Sequence, residues 1–246
     1  MNELMHRKQE RIDELHACLP GRTALIVVDM QRGFLDPGAS LEMPAGREIV
    51  PRVRQLVDAC RRGAVPVIFT EYVYATAVPC LRGDPFGPEH LPPANGNVGG
   101  FGAPSGNCLV HAGGGRPASA VVGAGPESAQ VIDELAPRSD ELVVRGHTYD
   151  KFIGTPLDLA LRSQDIRCLV FAGVATDICV ACTLMTAANL DYRCTAVTDA
   201  CATVDDDLQA AAIEIWKRKF ARLRTTAQMI EEIQTLAAAS TAEVAT

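Results

Sequence analysis

Hydrophobic and polar positions along the chain fall into two alternating patterns. Continuous apolar runs rich in β-branched residues occur at Thr23–Asp29, Val65–Glu71, Glu141–Arg145, Arg167–Gly173 and Arg193–Asp199, with a weaker sixth at Ala221–Thr225. They lack apolar/polar alternation, as expected of strands covered on both faces. Helical spacing lies between them. Val53, Leu56, Val57 and Cys60 share one face, with Pro51 placed at a first turn. Ser128–Leu135 reads as a short helix, and Thr155-Pro156-Leu157-Asp158 as a cap, a first-turn proline and an early acid. Thr176–Asn189, Asp205–Phe220 and Ala227–Ala237 predict three more helices, and residues 3–18 an extra N-terminal one. Strands alternating with helices imply right-handed crossovers and a parallel sheet. The expectation is one three-layer α-β-α domain over residues 1–246, with a six-stranded parallel sheet ordered 3-2-1-4-5-6.

One stretch breaks the pattern. Residues 79–126 hold more than half of the fifteen prolines and include GNVGGFGAPSG and HAGGG. A connection of that length inside a compact domain reads as a binding loop or an insertion. Composition adds exclusions. No apolar run approaches the roughly 18 residues that span a bilayer, and the charged N-terminus lacks a signal-peptide core; the expected location is cytoplasmic, without membrane contact. Basic residues number 23 and acidic residues 30, a net charge of -7, which argues against nucleic acid as a partner because phosphate binding needs a basic face. Nine cysteines in such a chain read as reduced thiols, not as a disulfide framework.

In an open parallel sheet, ligands bind beyond the carboxyl ends of the strands, where strand order reverses. Asp29 ends the first run, within VVDMQRGF, and Glu71 ends the second. Gly173 ends the fourth, and the turn after it leads into a helix carrying Cys179. With the first and fourth strands adjacent, Asp29 and Cys179 face each other across one crevice. A thiol near a helix N-terminus is expected to have a lowered pKa, a carboxylate in reach accepts its proton, and turn amides near Ala175 and Cys179 hold an oxyanion. Together these describe acyl transfer with a cysteine nucleophile.

The residues ALIVVDMQRGFLDPG (Ala24–Gly38), YDKFIGTPLDLALRSQDIRCLVFAGVATDICV (Tyr149–Val180) and LDYRCTAVTDA (Leu190–Ala200) carry a resemblance to the isochorismatase-like cysteine hydrolases, which include nicotinamidases, N-carbamoylsarcosine amidohydrolase, ureidoacrylate amidohydrolase and biuret hydrolase. The resemblance implies an Asp-Lys-Cys triad, with the aspartate at Asp29 and the nucleophile at Cys179. It also implies oxyanion donors at the Ala175 and Cys179 amides and a cis peptide at Val174–Ala175. The family lysine, aligned without gaps, falls on Gly146. Lys151, Arg145 and His147 are the nearby cations, and Lys151, a flexible amine, best imitates the missing one. The remaining alternatives are a cysteine–aspartate pair acting alone, or a protein that binds without turnover. Phe34, Glu71 and His147 are the expected substrate contacts.

No metal is expected. The stretch after the second strand, where nicotinamidases hold theirs, reads Glu71-Tyr72-Val73-Tyr74 without histidine, and His90 and His111 lack ligand-like spacing. No Gly-rich phosphate loop follows the first strand, so no nucleotide cofactor is expected either. Cys179 and Cys182 form a CxxC, which leaves thiol-redox chemistry as a reading from another class. The expected function is a cofactor-independent amidohydrolase acting on a small linear amide or ureido compound, in a homodimer or homotetramer as the resemblance implies.

Overall fold

The computed structural model describes residues 3–37, 39, 42–73, 129–146 and 148–244. His147, His90, His111 and the stretch 79–126 lie outside them. Six strands form one parallel sheet: β1 (Thr23–Val28), β2 (Val67–Tyr72), β3 (Leu142–Gly146), β4 (Cys168–Val174), β5 (Arg193–Ala202) and β6 (Ala221–Arg224), in the order β3-β2-β1-β4-β5-β6. The helices are α1 (Glu3–Leu15), α2 (Arg32–Leu35), α3 (Pro44–Arg62), α4 (Leu157–Ser163), α5 (Ala181–Asn189), α6 (Asp206–Lys219) and α7 (Thr226–Val244).

Every residue of β1, β2 and β4 is buried, which explains their unbroken apolar runs. Alternate residues feed two cores. Leu25, Val27 and Phe69 join Val53, Leu56 and Val57 of α3 and Met229 of α7 on one face. Ala24, Ile26 and Phe171 join Leu161 of α4, Leu184 of α5 and Trp216 of α6 on the other. The result is the three-layer α/β architecture that the alternation of runs implies. None of the helices among the described residues is long and apolar enough to cross a membrane.

Local details differ from expectation. Pro44, not Pro51, opens α3; Pro51 sits mid-helix on the exposed side. Of the expected helix at Ser128–Leu135, the described part holds a 3-10 turn at Asp133–Leu135, preceded by an antiparallel bridge between Gln31 and Val131. The segment after β4 divides into a π-helical turn (Thr176–Val180) and α5. β5 runs past Asp199 to Ala202, with a register irregularity opposite Phe171 and Gly173.

The switch point rests on Gly173. It pairs with Val28 at the end of β1, has φ +125°, and a Cβ there would lie 2.1 Å from the Val28 carbonyl oxygen. Only glycine lets the two backbones approach this closely while the chain turns toward the next helix. Gly173→Ala is therefore expected to destabilise the fold by at least about 2 kcal/mol, read as a lowered urea midpoint; an unchanged midpoint would show that this approach is not needed.

Candidate active site

Asp29 follows β1 and adopts a left-handed backbone, φ +49°, a conformation that aspartate tolerates better than most residues. That turn interrupts the alternation of β1 and brings the carboxylate beside Thr70 of β2. The Thr70 hydroxyl donates to Asp29 Oδ1 at 2.6 Å and accepts from the Asp29 amide at 3.2 Å. The other oxygen, Oδ2, lies 2.9 Å from Lys151 Nζ, and both side chains are wholly buried. Among the described residues Oδ2 has no aligned hydrogen bond; the contact with Lys151 is one of charge, and a lone pair on that oxygen stays open to a proton.

Lys151 belongs to the turn between β3 and α4. Its amide donates to Thr183 Oγ at 3.2 Å, and the same hydroxyl donates to the Cys179 carbonyl at 2.7 Å. The Asp150 carboxylate accepts from the Phe152 amide at 2.9 Å and from the Thr186 hydroxyl. These bonds fasten the turn to α5. The Lys151 ammonium also donates to the Thr148 carbonyl at 3.0 Å. A Cβ at Gly146 would come within 2.9 Å of the Thr155 methyl, so a side chain there would require Thr155 to shift. The ammonium that reaches Asp29 arrives from five residues beyond Gly146.

Cys179 lies in the π-helical turn, buried, and near enough to the Asp29 carboxylate for that charge to act on its thiol. The peptide Val174–Ala175 is cis, and the Ala175 carbonyl accepts from the Ile178 and Val180 amides at 3.1 Å. The expectation of a lowered thiol pKa is overturned. Burial first, and then the Asp29 charge, push the Cys179 thiol well above its ordinary range, while Lys151 and a backbone hydrogen bond at Ala175 pull it down less strongly. Desolvation of the thiolate outweighs the turn dipole. The resting site therefore holds a neutral thiol beside a carboxylate–ammonium pair.

The other expected contacts fare differently. Thr70 and Tyr72 point to the Asp29–Lys151 side of the sheet, so Glu71 between them points to the opposite side. Its carboxylate accepts from Arg145 Nε at 2.7 Å and from the Val131 amide at 3.3 Å. Arg145, held there, is not the cation on Asp29. Phe34, in α2, is partly buried against the α3-side core. Sequence reasoning passed over Thr70 and Tyr72, although both flank the chosen Glu71 at strand spacing. It also passed over Gln31, whose amide side chain donates to the Ala129 and Tyr72 carbonyls at 2.7 and 3.1 Å and accepts from the Tyr72 amide at 2.8 Å. Among the described residues no cluster of three or more His, Cys, Asp or Glu side chains is arranged to hold a metal ion.

Cys182, one turn beyond Cys179, is half-buried, and burial raises its thiol too, with further raising by Asp150. Dithiol exchange works through a lowered thiol, and neither sulfur here is lowered. Cys182→Ser is expected to leave kcat within about twofold of the parent, measured by product release; a loss comparable to that of a nucleophile variant would revive the redox reading.

An isochorismatase domain matches residues 23–228, and the chain belongs to that family. It is 29% identical to ureidoacrylate amidohydrolase RutB of Acinetobacter baylyi over 234 residues, 87% of this chain and 82% of that protein. Its structure resembles a cysteine hydrolase from Pseudomonas syringae pv. phaseolicola, with a TM-score of 0.70 and 26% identity, covering 89% of this chain and 95% of the other. N-carbamoylsarcosine amidase from Thermoplasma acidophilum shares the fold, with a TM-score of 0.58 at 24% identity over 83% of this chain and 96% of that one.

Proposed function

We propose that the protein is a cysteine-dependent amidohydrolase that cleaves a carbon–nitrogen bond of a small linear amide or ureido compound. The observation that carries this reading is the buried Asp29–Lys151 pair, 2.9 Å apart, with the buried Cys179 thiol within reach of both charges. The amidohydrolase names of the relatives support the bond type, and ureidoacrylate and N-carbamoylsarcosine, in those names, define the compounds to try first.

The chemistry follows from the protonation states. The thiol is neutral at rest, so it transfers its proton to Asp29 as Sγ attacks the substrate carbonyl. Backbone amides of Ala175 and Cys179 receive the developing oxyanion. The protonated Asp29 then gives that proton to the departing nitrogen, the carbon–nitrogen bond breaks, and a thioester remains on Cys179. Water enters, Asp29 takes its proton, and the hydroxyl displaces the sulfur; the proton returns to Cys179 and the acid product leaves. The Lys151 ammonium, 2.9 Å from Oδ2, fixes the orientation of the Asp29 carboxylate.

The test is ammonia release from a panel of ureido acids and primary amides, run beside Cys179→Ala. Release by the parent and none by the variant supports the reading. Equal release by both would remove Cys179 from the chemistry.

A further inference from the structure

The Lys151 ammonium is enclosed on more sides than its ion pair requires. Besides Asp29 and the Thr148 carbonyl, it lies 5.1 Å from the centroid of the Tyr72 ring. Tyr72 is buried at the end of β2. Tyr149, two residues before the lysine, stacks on it with ring centroids 5.6 Å apart and planes inclined by only 6°. On β3, Tyr72 is paired with Gly146, so the neighbouring strand carries no side chain beside the ring.

A lysine on a strand has its direction set by the pleat. Lys151 comes from a turn, and a four-carbon stem with three rotatable donors can leave a carboxylate as readily as it meets one. The negative face of an aromatic ring attracts an ammonium without offering it a proton acceptor, and the attraction grows when the cation is desolvated, as it is here. A second ring stacked on the first fixes that face against the turn.

We propose that Tyr72, backed by Tyr149, is a positioning residue for Lys151: its ring face holds the ammonium against Asp29 Oδ2, doing for a turn-borne lysine what a strand would do for one at 146. This rests on the reading of Asp29, Lys151 and Cys179 as the machinery of hydrolysis. The ring acts through Lys151, so its loss slows the chemical step and leaves substrate binding nearly unchanged.

The experiment replaces Tyr72 with phenylalanine and then, by genetic-code expansion, with mono-, di- and trifluorinated phenylalanines. These keep the ring's shape and drain its negative face. Two rates are read on each: kcat on whichever compound of the panel releases ammonia fastest, and the rate of Cys179 alkylation by iodoacetamide, which needs no substrate. Tyr72→Phe is expected to stay within about threefold of the parent, and the series to fall stepwise to about a tenfold loss in kcat with KM within about twofold. Alkylation should follow the same order, since a displaced ammonium draws less on the thiol. A flat series would overturn the proposal. So would Tyr72→Phe being as impaired as the trifluorinated variant, since the hydroxyl would then be doing the work. Either result leaves the hydrolase reading standing; that reading fails separately, on ammonia release by Cys179→Ala.

Discussion

Asp29→Asn is expected to lose turnover by about a hundred- to ten-thousand-fold, the usual worth of a general base, while its Cys179 becomes easier to alkylate at neutral pH. The two effects have opposite signs for one reason. In the parent, burial and the Asp29 charge hold the thiol well above its ordinary range, against the pull of Lys151. Removing the carboxylate's charge deletes a raising influence and leaves the lowering one, so the thiolate forms at lower pH and iodoacetamide captures it sooner. The amide cannot take the thiol proton or return it to a leaving nitrogen, so the more reactive sulfur turns over less. In the parent, alkylation should rise only as pH climbs beyond the range of an ordinary thiol; in the variant the rise should come earlier. A variant that loses turnover and also labels more slowly would mean that Asp29 shapes the pocket and does not govern the proton.

Lys151→Met is the second large effect, and it falls on stability as well as rate. The Asp29–Lys151 pair is wholly buried. Removing one partner leaves a charge in the interior, which costs about 3–5 kcal/mol. In a protein of this size that is about 10 °C in Tm. With the ammonium gone, Asp29 loses the charge that orients Oδ2, and activity is expected to fall by about a hundredfold or more at pH 7. The Asp29→Asn, Lys151→Met double variant separates the two roles: calorimetry should show most of the stability regained, because no unpaired charge remains, while turnover stays absent. A single Lys151→Met variant as stable as the parent would contradict the ionised pair.

Much of this was legible in the residues, and the failures have identifiable causes. The central strands announce themselves because they are covered on both faces, and unbroken apolar runs are what double coverage demands. Asp29 and Cys179 are legible because strand ends at a switch point are few. Lys151 is legible only as one cation among three, since its distance from Asp29 depends on how a turn folds back onto α5 through Thr183 and Thr186. That Thr70 and Tyr72, and not Glu71 between them, face Asp29 was not legible, because a strand's phase relative to a crevice is set by tertiary packing. The thiol's proton affinity misleads for a similar reason: a helix start can be read along the chain, whereas burial beside a carboxylate cannot. Pro51 inside α3 shows the limit of a local rule, for a helix that begins at Pro44 runs through a second proline on its exposed face.

The account depends above all on a covalent bond between substrate carbon and the Cys179 sulfur. Rapid acid quench during steady turnover of a ureido or amide substrate, followed by peptide mass mapping, tests it most directly. The expected result is a peptide containing Cys179 heavier by the acyl fragment, absent from Cys179→Ala and lost on treatment with hydroxylamine. Sustained turnover with Cys179 unmodified, under conditions that trap an acyl group on another thiol enzyme, would contradict the account.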